Sequence, residues 1–314
     1  MANVYCGGAT TRKVWKLQKS DLSKVAESSD YGGTIVYLVE DSNYVYCGGI
    51  TTRKVWKLQK SDLSKVAESI DYGNSIMALA EDSNYVYCAG VTQKVWKLLK
   101  SDLSKVGESI SYGGVIYALA EDSNYVYCGG ATTRKVWKLQ KSDLSKVAES
   151  SDYGGTIYHL VAEDSNYIYC VGDTTRKVWK LLKSDLSKVA ESIDYGGQLY
   201  ALTEDSNYIY CGGTIQKVWK LLKSDLSKVG ESISYGGDIW VLAEDSNYVY
   251  CGGFSTNKVW KLQKSDLSKV AESISYGGYI YGLTGEEEEA VGRTLGFIIA
   301  VSYTHLTLPT NREV

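Results

Sequence analysis

The sequence has little of several residue types on which particular functions depend. It holds one proline and two histidines in 314 residues, and its 34 lysines and arginines nearly balance its 37 aspartates and glutamates. Acidic and basic residues alternate without forming a basic tract that would neutralise phosphates, so we expect no nucleic-acid partner. No unique serine, aspartate, cysteine or histidine pairing supplies a nucleophile with a base, and no phosphate-binding loop occurs. We therefore expect a protein that is not an enzyme.

Long apolar runs and targeting segments are also missing. The longest apolar stretch, Phe297 to Val301, is far shorter than the ~20 residues that cross a bilayer. Met1-Ala2-Asn3 leads directly into the first repeat, without the basic region and apolar core of a secretory signal. We therefore expect a soluble protein without membrane contact, and the cytoplasm is the favoured compartment.

A six-residue segment, Tyr44 to Gly49, returns in near copies seven times along the chain. Its cysteine recurs every 40 to 42 residues, and a tryptophan within Lys-Val-Trp-Lys-Leu follows with the same period. A fixed period of this size indicates a repeat architecture in which each unit packs against its neighbours. The cysteines are Cys6, Cys47, Cys88, Cys128, Cys170, Cys211 and Cys251.

Each repeat is predicted to form four strands, A to D. In the repeat that starts at Gly114 they are Val115 to Glu121, Tyr125 to Cys128, Arg134 to Lys141 and Leu144 to Ser151. These segments are short, rich in valine, isoleucine, tyrosine and tryptophan, and separated by turn residues that include both double glycines. This spacing is typical of an antiparallel all-β repeat.

A second interpretation of the C and D segments stays open. Apolar residues between Val136 and Val147 also fit one side of a helix from Lys135 to Glu149, which would give a ββα repeat. Repeats built only of helices fit worse, because two double glycines per unit would break both helices.

The chain resembles β-propellers of the WD40, Kelch and PQQ-repeat kinds. Repeat length and the strand-C tryptophan resemble WD40, and the double glycine that ends strand B resembles Kelch. In this chain Lys16, Lys57 and their equivalents follow the tryptophan where WD40 repeats have aspartate, and no Gly-His pair opens the repeat. The resemblance covers residues 1–285 and implies four-stranded blades. It extends to recently amplified propellers of bacteria and their viruses.

The order of strands predicts a closed ring. The chain opens on a strand B at Val4, contains seven B–C–D sets, and ends the repeats with a seventh strand A, Tyr279 to Thr284, that has no partner downstream. Pairing that strand with the first B–C–D set removes exposed sheet edges. We predict an all-β fold over residues 1–285, a seven-bladed β-propeller of four-stranded antiparallel blades closed in this way.

The composition changes beyond Gly285. This tail contains Pro309, and Val301 to Thr310 resembles the translation of a transposase-type sequencing adapter. We expect residues 286–314 to be an artefact of sequence assembly or a disordered tail. If they are an artefact, the gene is expected to continue past residue 285.

One cysteine per repeat is expected to give neither a disulfide nor a metal site. Equivalent positions on neighbouring blades lie ~10 Å apart, beyond the ~7 Å limit for a disulfide. We predict that the cysteines are small core residues and that the tryptophans pack between blades rather than forming a sugar-stacking belt. The strand-C lysines are expected to form a solvated surface. No metal or other cofactor is expected.

Differences between repeats fall on one face of the predicted disc. The A–B turn, Asp-Ser-Asn-Tyr, and the C–D turn, Lys-Ser-Asp-Leu-Ser, do not change between copies, whereas the start of strand A and the B–C loop do. Because the D–A and B–C connections lie on the same face, the pattern predicts a binding face and channel mouth. The varying residues are Thr34, Ser75, Val115, Thr156, Gln198, Asp238 and Tyr279, followed two residues later by Val36, Met77, Tyr117, Tyr158, Tyr200, Trp240 and Tyr281.

The sequence therefore predicts a non-catalytic binding or scaffolding propeller for a protein or glycan, with a multivalent ligand as one option. Its candidate ligand-binding residues are the seven at the start of strand A together with Trp240 and His159. His159 precedes an extra residue before Glu163 and is expected to mark a bulge and to be structural. Two alternatives stay open: a structural repeat segment of a larger bacterial or phage surface protein, and a channel enzyme such as a lyase or a quinoprotein-like dehydrogenase.

Overall fold

The structure, a computed structural model, describes residues 2–162 and 164–285. Every repeat within these ranges forms four antiparallel strands, so the all-β prediction is confirmed and the ββα interpretation is wrong. Glu163 and residues 286–314 lie outside the described residues. The expectations made for the tail therefore stay predictions. None of the described residues forms a helix that is long and apolar enough to cross a bilayer.

The strands of the described ranges are numbered in chain order, and blade 1 combines the last strand with the first three. Their bounds are β1 (Asn3–Gly8), β2 (Trp15–Gln18), β3 (Lys24–Glu27), β4 (Ile35–Glu40), β5 (Tyr44–Gly49), β6 (Trp56–Gln59), β7 (Lys65–Glu68), β8 (Ile76–Glu81), β9 (Tyr85–Gly90), β10 (Trp96–Leu99), β11 (Lys105–Glu108), β12 (Ile116–Glu121), β13 (Tyr125–Gly130), β14 (Trp137–Gln140), β15 (Lys146–Glu149), β16 (Ile157–Val161), β17 (Tyr167–Gly172), β18 (Trp179–Leu182), β19 (Lys188–Glu191), β20 (Leu199–Glu204), β21 (Tyr208–Gly213), β22 (Trp219–Leu222), β23 (Lys228–Glu231), β24 (Ile239–Glu244), β25 (Tyr248–Gly253), β26 (Trp260–Gln263), β27 (Lys269–Glu272) and β28 (Ile280–Gly285).

Strands C and D are shorter than the sequence predicts because residues taken as their first positions belong to turns. Arg134 and Leu144 have φ angles of 54° and 58°, in the left-handed region. The amide of Leu144 donates to the carbonyl of Gln140 at 2.8 Å. Asp143 accepts a 2.9 Å hydrogen bond from the amide of Ser145, so the turn aspartate bonds its own backbone as expected.

The seven sheets form a closed ring with strand A innermost. Each strand A contacts the strands A of both neighbouring blades, which places these strands around the central channel. In blade 1, β28 pairs with β1, from Val4 opposite Gly285 to Gly8 opposite Ile280. The predicted seven-bladed ring and its closure are therefore confirmed.

The core lies between blades rather than within them. At the junction of blades 1 and 2, Tyr5 and Val14 of one blade pack in the same cluster as Cys47 and Trp56 of the next. All seven cysteines are buried and unpaired, and burial raises the pKa of Cys47 to about 12. In every blade the strand-C tryptophan also meets a buried tyrosine edge to face, with ring centroids 4.7–5.1 Å apart. These contacts confirm the core roles of cysteine and tryptophan.

The double glycine of strand B is not the predicted turn, because both of its residues pair within the sheet. A Cβ on Gly48 would lie 2.9 Å from the side chain of Ile76 in the next blade. A Cβ on Gly49 would lie 1.9 Å from the backbone oxygen of Thr34. Blade 3 has Ala89 at the first of these two positions, whereas the second is glycine in every blade. The second glycine is therefore required by the close approach of two backbones.

The strand-C lysines are not the solvated surface that the sequence predicts. Lys57 is 7% exposed, and its ammonium group donates to the backbone oxygen of Lys100 in the next blade at 2.6 Å. The equivalent bond forms at all seven junctions. Lys100 also pairs with Asp41 of the preceding blade at 3.1 Å and with Glu81 of its own blade. The unchanging A–B and C–D turns are therefore the site of inter-blade contacts.

Replacing Gly49 with alanine should lower the free energy of unfolding by about 1–3 kcal/mol, because the new methyl group overlaps the carbonyl oxygen of Thr34, which accepts a hydrogen bond from the amide of Ile50. The matched control is Gly48→Ala, which places the methyl group against a side chain that can move. Urea denaturation of both variants measures the difference. Equal losses would show that backbone approach does not distinguish the two glycines.

Replacing Asp245 with asparagine should destabilise the junction of blades 7 and 1 by about 3–5 kcal/mol, because it removes a negative charge that faces the buried ammonium group of Lys19. The two groups lie 2.8 Å apart and are almost fully buried. The control, Asp41→Asn, changes an equivalent carboxylate that is more exposed. Urea midpoints of the three proteins should rank wild type, Asp41→Asn and Asp245→Asn in descending order.

The same junction should contribute to acid sensitivity. Burial acts to raise the pKa of Asp245, but hydrogen bonds from Lys19, the Asn247 amide and Tyr250 outweigh it and hold the pKa below its usual value. This contribution to stability is complete above the unfolded-state pKa of about 4 and is lost as pH falls through the lower folded-state pKa. Wild type should therefore lose more stability than Asp245→Asn between pH 5 and acidic pH, measured by urea midpoints across that range.

Candidate functional site

A bulge in every strand A directs one side chain toward the mouth of the central channel. In blade 4, Ile116 pairs with Gly130 and Ala118 pairs with Gly129, so Tyr117 is left outside the ladder. The same shift occurs in all seven blades. Because bulges re-aim side chains, the fold provides one such position per blade on the face that carries the D–A and B–C connections. We call this the variable face, and the face of the A–B and C–D turns the constant face.

Five adjacent blades carry an aromatic residue at the bulge position, and consecutive rings touch. The ring centroids are 5.5 Å apart between Tyr117 and Tyr158, 5.2 Å between Tyr158 and Tyr200, 6.2 Å between Tyr200 and Trp240, and 4.7 Å between Trp240 and Tyr281. All five residues are partly exposed. We call them the aromatic arc. Blades 2 and 3 complete the circle without rings, with Val36 and Met77.

Trp240 is the centre of the largest group of rings. Besides its two neighbours in the arc, it stacks on Phe254 of its own B–C loop at 5.8 Å and meets Tyr279 at 6.1 Å. Phe254 and Tyr279 are themselves 4.5 Å apart. The B–C loop of blade 7 and the start of strand A in blade 1 therefore extend the arc outward at this point.

The predicted residues at the start of strand A lie one residue before the strand. The carbonyl of Thr34 accepts a 2.9 Å bond from the amide of Ile50, which ties the D–A connection to the B–C loop. Gln198 accepts a hydrogen bond from the hydroxyl of Tyr200. The structure therefore brings Gln198, Asp238, Tyr279, Thr156 and Trp240 to the arc. Val115 lies beside Tyr117 at the end of the arc, and two other candidates lie elsewhere on the mouth, beside Val36 and Met77: Thr34 and Ser75.

Sequence reasoning missed Asp173, which lies in the B–C loop of blade 5. Its Oδ1 accepts a 2.9 Å bond from the amide of Thr156 and a 2.5 Å bond from the amide of Thr174. Equivalent positions hold alanine, isoleucine, valine, threonine or phenylalanine. The appearance of one charged residue in this series is the signal that would have identified it.

His159 lies inside the channel and meets a residue that the sequence did not single out. Its Nε2 is 3.0 Å from the hydroxyl of Tyr37, which comes from the opposite side of the ring, and the two rings are stacked at 6.1 Å. Burial lowers the pKa of His159 to about 4 and raises that of Tyr37 to about 12. Strand A is bulged beside His159, but every blade has this bulge, so it does not arise from the extra residue before Glu163.

A cavity of about 360 Å³ occupies the channel between this pair and the constant face. Its polar lining includes Glu40, Glu81, Glu121 and Glu244, which pair with Lys60, Lys100, Lys141 and Lys264 respectively. Burial raises the pKa of Glu81 and of Glu121. In the ranges that the structure describes, no three histidine, cysteine, aspartate or glutamate side chains converge as metal ligands would.

Comparison with known proteins gives a likeness in fold. No protein-family model matches the chain, and no curated protein is similar in sequence. Among solved structures, a computationally designed protein, Ika8, has a TM-score of 0.70 at 14% identity over 89% of this chain and 86% of its own. U3-55K has a TM-score of 0.72 at 12% identity, covering 80% and 84%. The WD40 repeats of RRP9 have a TM-score of 0.71 at 12% identity, covering 80% and 83%. The chain is thus a seven-bladed β-propeller with the fold of WD40-repeat structures.

Proposed function

We propose that this protein is a non-catalytic binding or scaffolding propeller that recognises a protein or a glycan through the variable face and the channel mouth. The observation that carries the proposal is the aromatic arc, five touching and partly exposed rings around the mouth. Clustered exposed aromatic surface is unusual on a free protein and is typical of binding sites. The rest of the ring holds these side chains on a rigid support.

The distribution of differences between blades supports binding over drift. The constant face is explained by its inter-blade hydrogen bonds and ion pairs, such as those of Lys100. On the variable face, the substitutions at the bulge position are not scattered, because the five aromatic residues occupy adjacent blades and contact one another. They form one composite surface on the channel axis rather than seven separate sites.

We also propose that the channel does not support catalysis. Tyr37 and His159 are the candidate proton-transfer pair, since they meet at 3.0 Å. An efficient general acid or base has a pKa near the working pH. The pKa of His159 is lowered to about 4 and that of Tyr37 is raised to about 12, so neither group exchanges its proton readily near neutral pH. This supports a structural role for the pair.

Arrays of glycans and of peptides, probed with the intact chain, test the proposal. Wild type should bind a subset of one array. Trp240→Ala should reduce the affinity for each hit by about 30-fold or more, because an aromatic residue that becomes buried at the centre of an interface often dominates its binding energy. The matched control is Met77→Ala, which truncates the equivalent position of a blade that has no ring there. It should change the affinity by less than about threefold.

A second variant tests the choice of face. Ser83 is exposed in an A–B turn of the constant face, so Ser83→Arg adds a bulky side chain there without removing an inter-blade bond. Binding should be unchanged. Loss of binding in this variant, or blank arrays with protein shown to be folded by circular dichroism, would contradict the proposal.

A further inference from the structure

Two carboxylates on the variable face form no ion pair with any residue that the structure describes. In the D–A connections and B–C loops within residues 2–162 and 164–285, every other charged side chain forms an ion pair, as Arg53 does with Asp71 at 2.7 Å. Asp238 forms no side-chain hydrogen bond or ion pair with any described residue, and Asp173 accepts hydrogen bonds only from Thr156 and Thr174. Among the described residues, therefore, nothing compensates the negative charge of the variable face at these two positions.

Both carboxylates lie at the aromatic arc. Asp238 is two residues before Trp240, and Asp173 is hydrogen-bonded to Thr156, two residues before Tyr158. Tyr200 lies between these two rings, 5.2 Å from Tyr158 and 6.2 Å from Trp240. Burial raises the pKa of Tyr200, and the neighbouring Tyr158, Asp238 and Asp173 add to the effect in that order.

Elsewhere in the protein, lysine ammonium groups cover the comparable aromatic faces. Each of the seven strand-C tryptophans has a strand-D lysine over its ring, as Lys65 lies 4.3 Å from the ring centre of Trp56. Strand-C lysines cover tyrosines in the same way, as Lys57 covers Tyr44 at 3.9 Å. Over the rings of the aromatic arc, no lysine or arginine of the described residues occupies this position. The arc thus has the aromatic rings and the nearby negative charge that a cation site needs. No lysine or arginine of the described residues occupies it.

We propose that the sector of the aromatic arc from Tyr158 to Trp240, between Asp173 and Asp238, binds an organic cation, presented as a lysine or arginine side chain of a partner polypeptide. The inference rests on the proposed function, because it assigns a ligand chemistry to the same face. An ammonium or guanidinium group within about 6 Å of a ring centre is attracted by the ring face. The two carboxylates add a charge-complementary attraction that also favours encounter with a basic segment.

The ring geometry favours a cation over a sugar. A pyranose stacks on a flat aromatic platform, whereas the planes of Tyr158 and Tyr200 are inclined by 70° and those of Tyr200 and Trp240 by 83°. These three rings therefore present no single flat platform for a sugar, whereas a compact cation needs only one ring face. Trp240 is held in place by stacking on Phe254, so its orientation does not depend on a ligand.

Isothermal titration calorimetry with a set of five-residue peptides, capped at both ends and otherwise glycine, tests the inference. The central residue is lysine, trimethyllysine, arginine or norleucine, and norleucine is the neutral control of similar length. The cationic peptides should bind about tenfold or more tightly than the norleucine peptide, because only they gain cation–π and ionic attraction. Their affinity should fall as sodium chloride is increased.

Variants assign the effect to the two carboxylates. Asp238→Asn and Asp173→Asn should each weaken the lysine peptide about threefold or more, and the double variant should weaken it further. The matched control is Asp71→Asn, on the same face but already paired with Arg53, and it should change the affinity by less than about twofold. Equal binding of the norleucine peptide, or unchanged affinity in the double variant, would overturn the cation site.

Two further outcomes separate this inference from the proposed function. If tetramethylammonium chloride alone binds as tightly as the lysine peptide, the cation site stands but its assignment to a polypeptide side chain is wrong. If no cationic probe binds while a glycan binds and is lost in Trp240→Ala, the cation inference fails and the proposed binding function stands. If every peptide, the salt and both arrays give no binding to the folded protein, both fail.

Discussion

The ring depends on one repeated contact, the hydrogen bond from a strand-C lysine to a backbone carbonyl of the next blade. Lys57 donates to the carbonyl of Lys100, and the same bond recurs at every junction up to Lys261 and Lys19, where the ring closes. A buried ammonium group is costly unless it is bonded, so the lysine is useful only while the neighbouring blade is in place. The bond therefore links each blade to the next, and the stability of the ring is set by its junctions.

This constraint acts on one face and leaves the other free to change. On the variable face, the members of an ion pair are replaced together from blade to blade. Arg53 pairs with Asp71, whereas at the equivalent positions Gln93 accepts a hydrogen bond from Ser111 at 3.2 Å. The substitution of one member is thus accompanied by that of the other, and the outer part of the variable face remains balanced. Departure from this balance is confined to the arc, which is where a ligand would supply the missing charge.

The sequence was sufficient to predict the blades, their number and the closure of the ring, because a fixed period with matching strand order leaves few alternatives. It gave a wrong account of the strand-C lysines, since a lysine that is buried against the next blade has the same local pattern as a solvated one. The second glycine of each strand B was taken as a turn for a similar reason. Local pattern does not show that Gly49 lies against the carbonyl of Thr34.

The Tyr37 to His159 contact was beyond sequence reasoning because it joins opposite sides of the ring. It is possible because the equivalent positions of the other blades are small, and the two large side chains therefore have room to meet. Tyr37 and His159 each follow the bulge residue of their strand A by one position. The pair therefore lies deeper in the channel than the arc and forms a floor beneath the mouth. This floor is uncharged at neutral pH, since His159 takes up a proton only near its pKa of about 4. A cation on the arc thus meets no opposing charge from below until the solution is strongly acidic. The small residues at the positions equivalent to Tyr37 and His159 are Ala78, Ala118, Ala201, Val241 and Gly282.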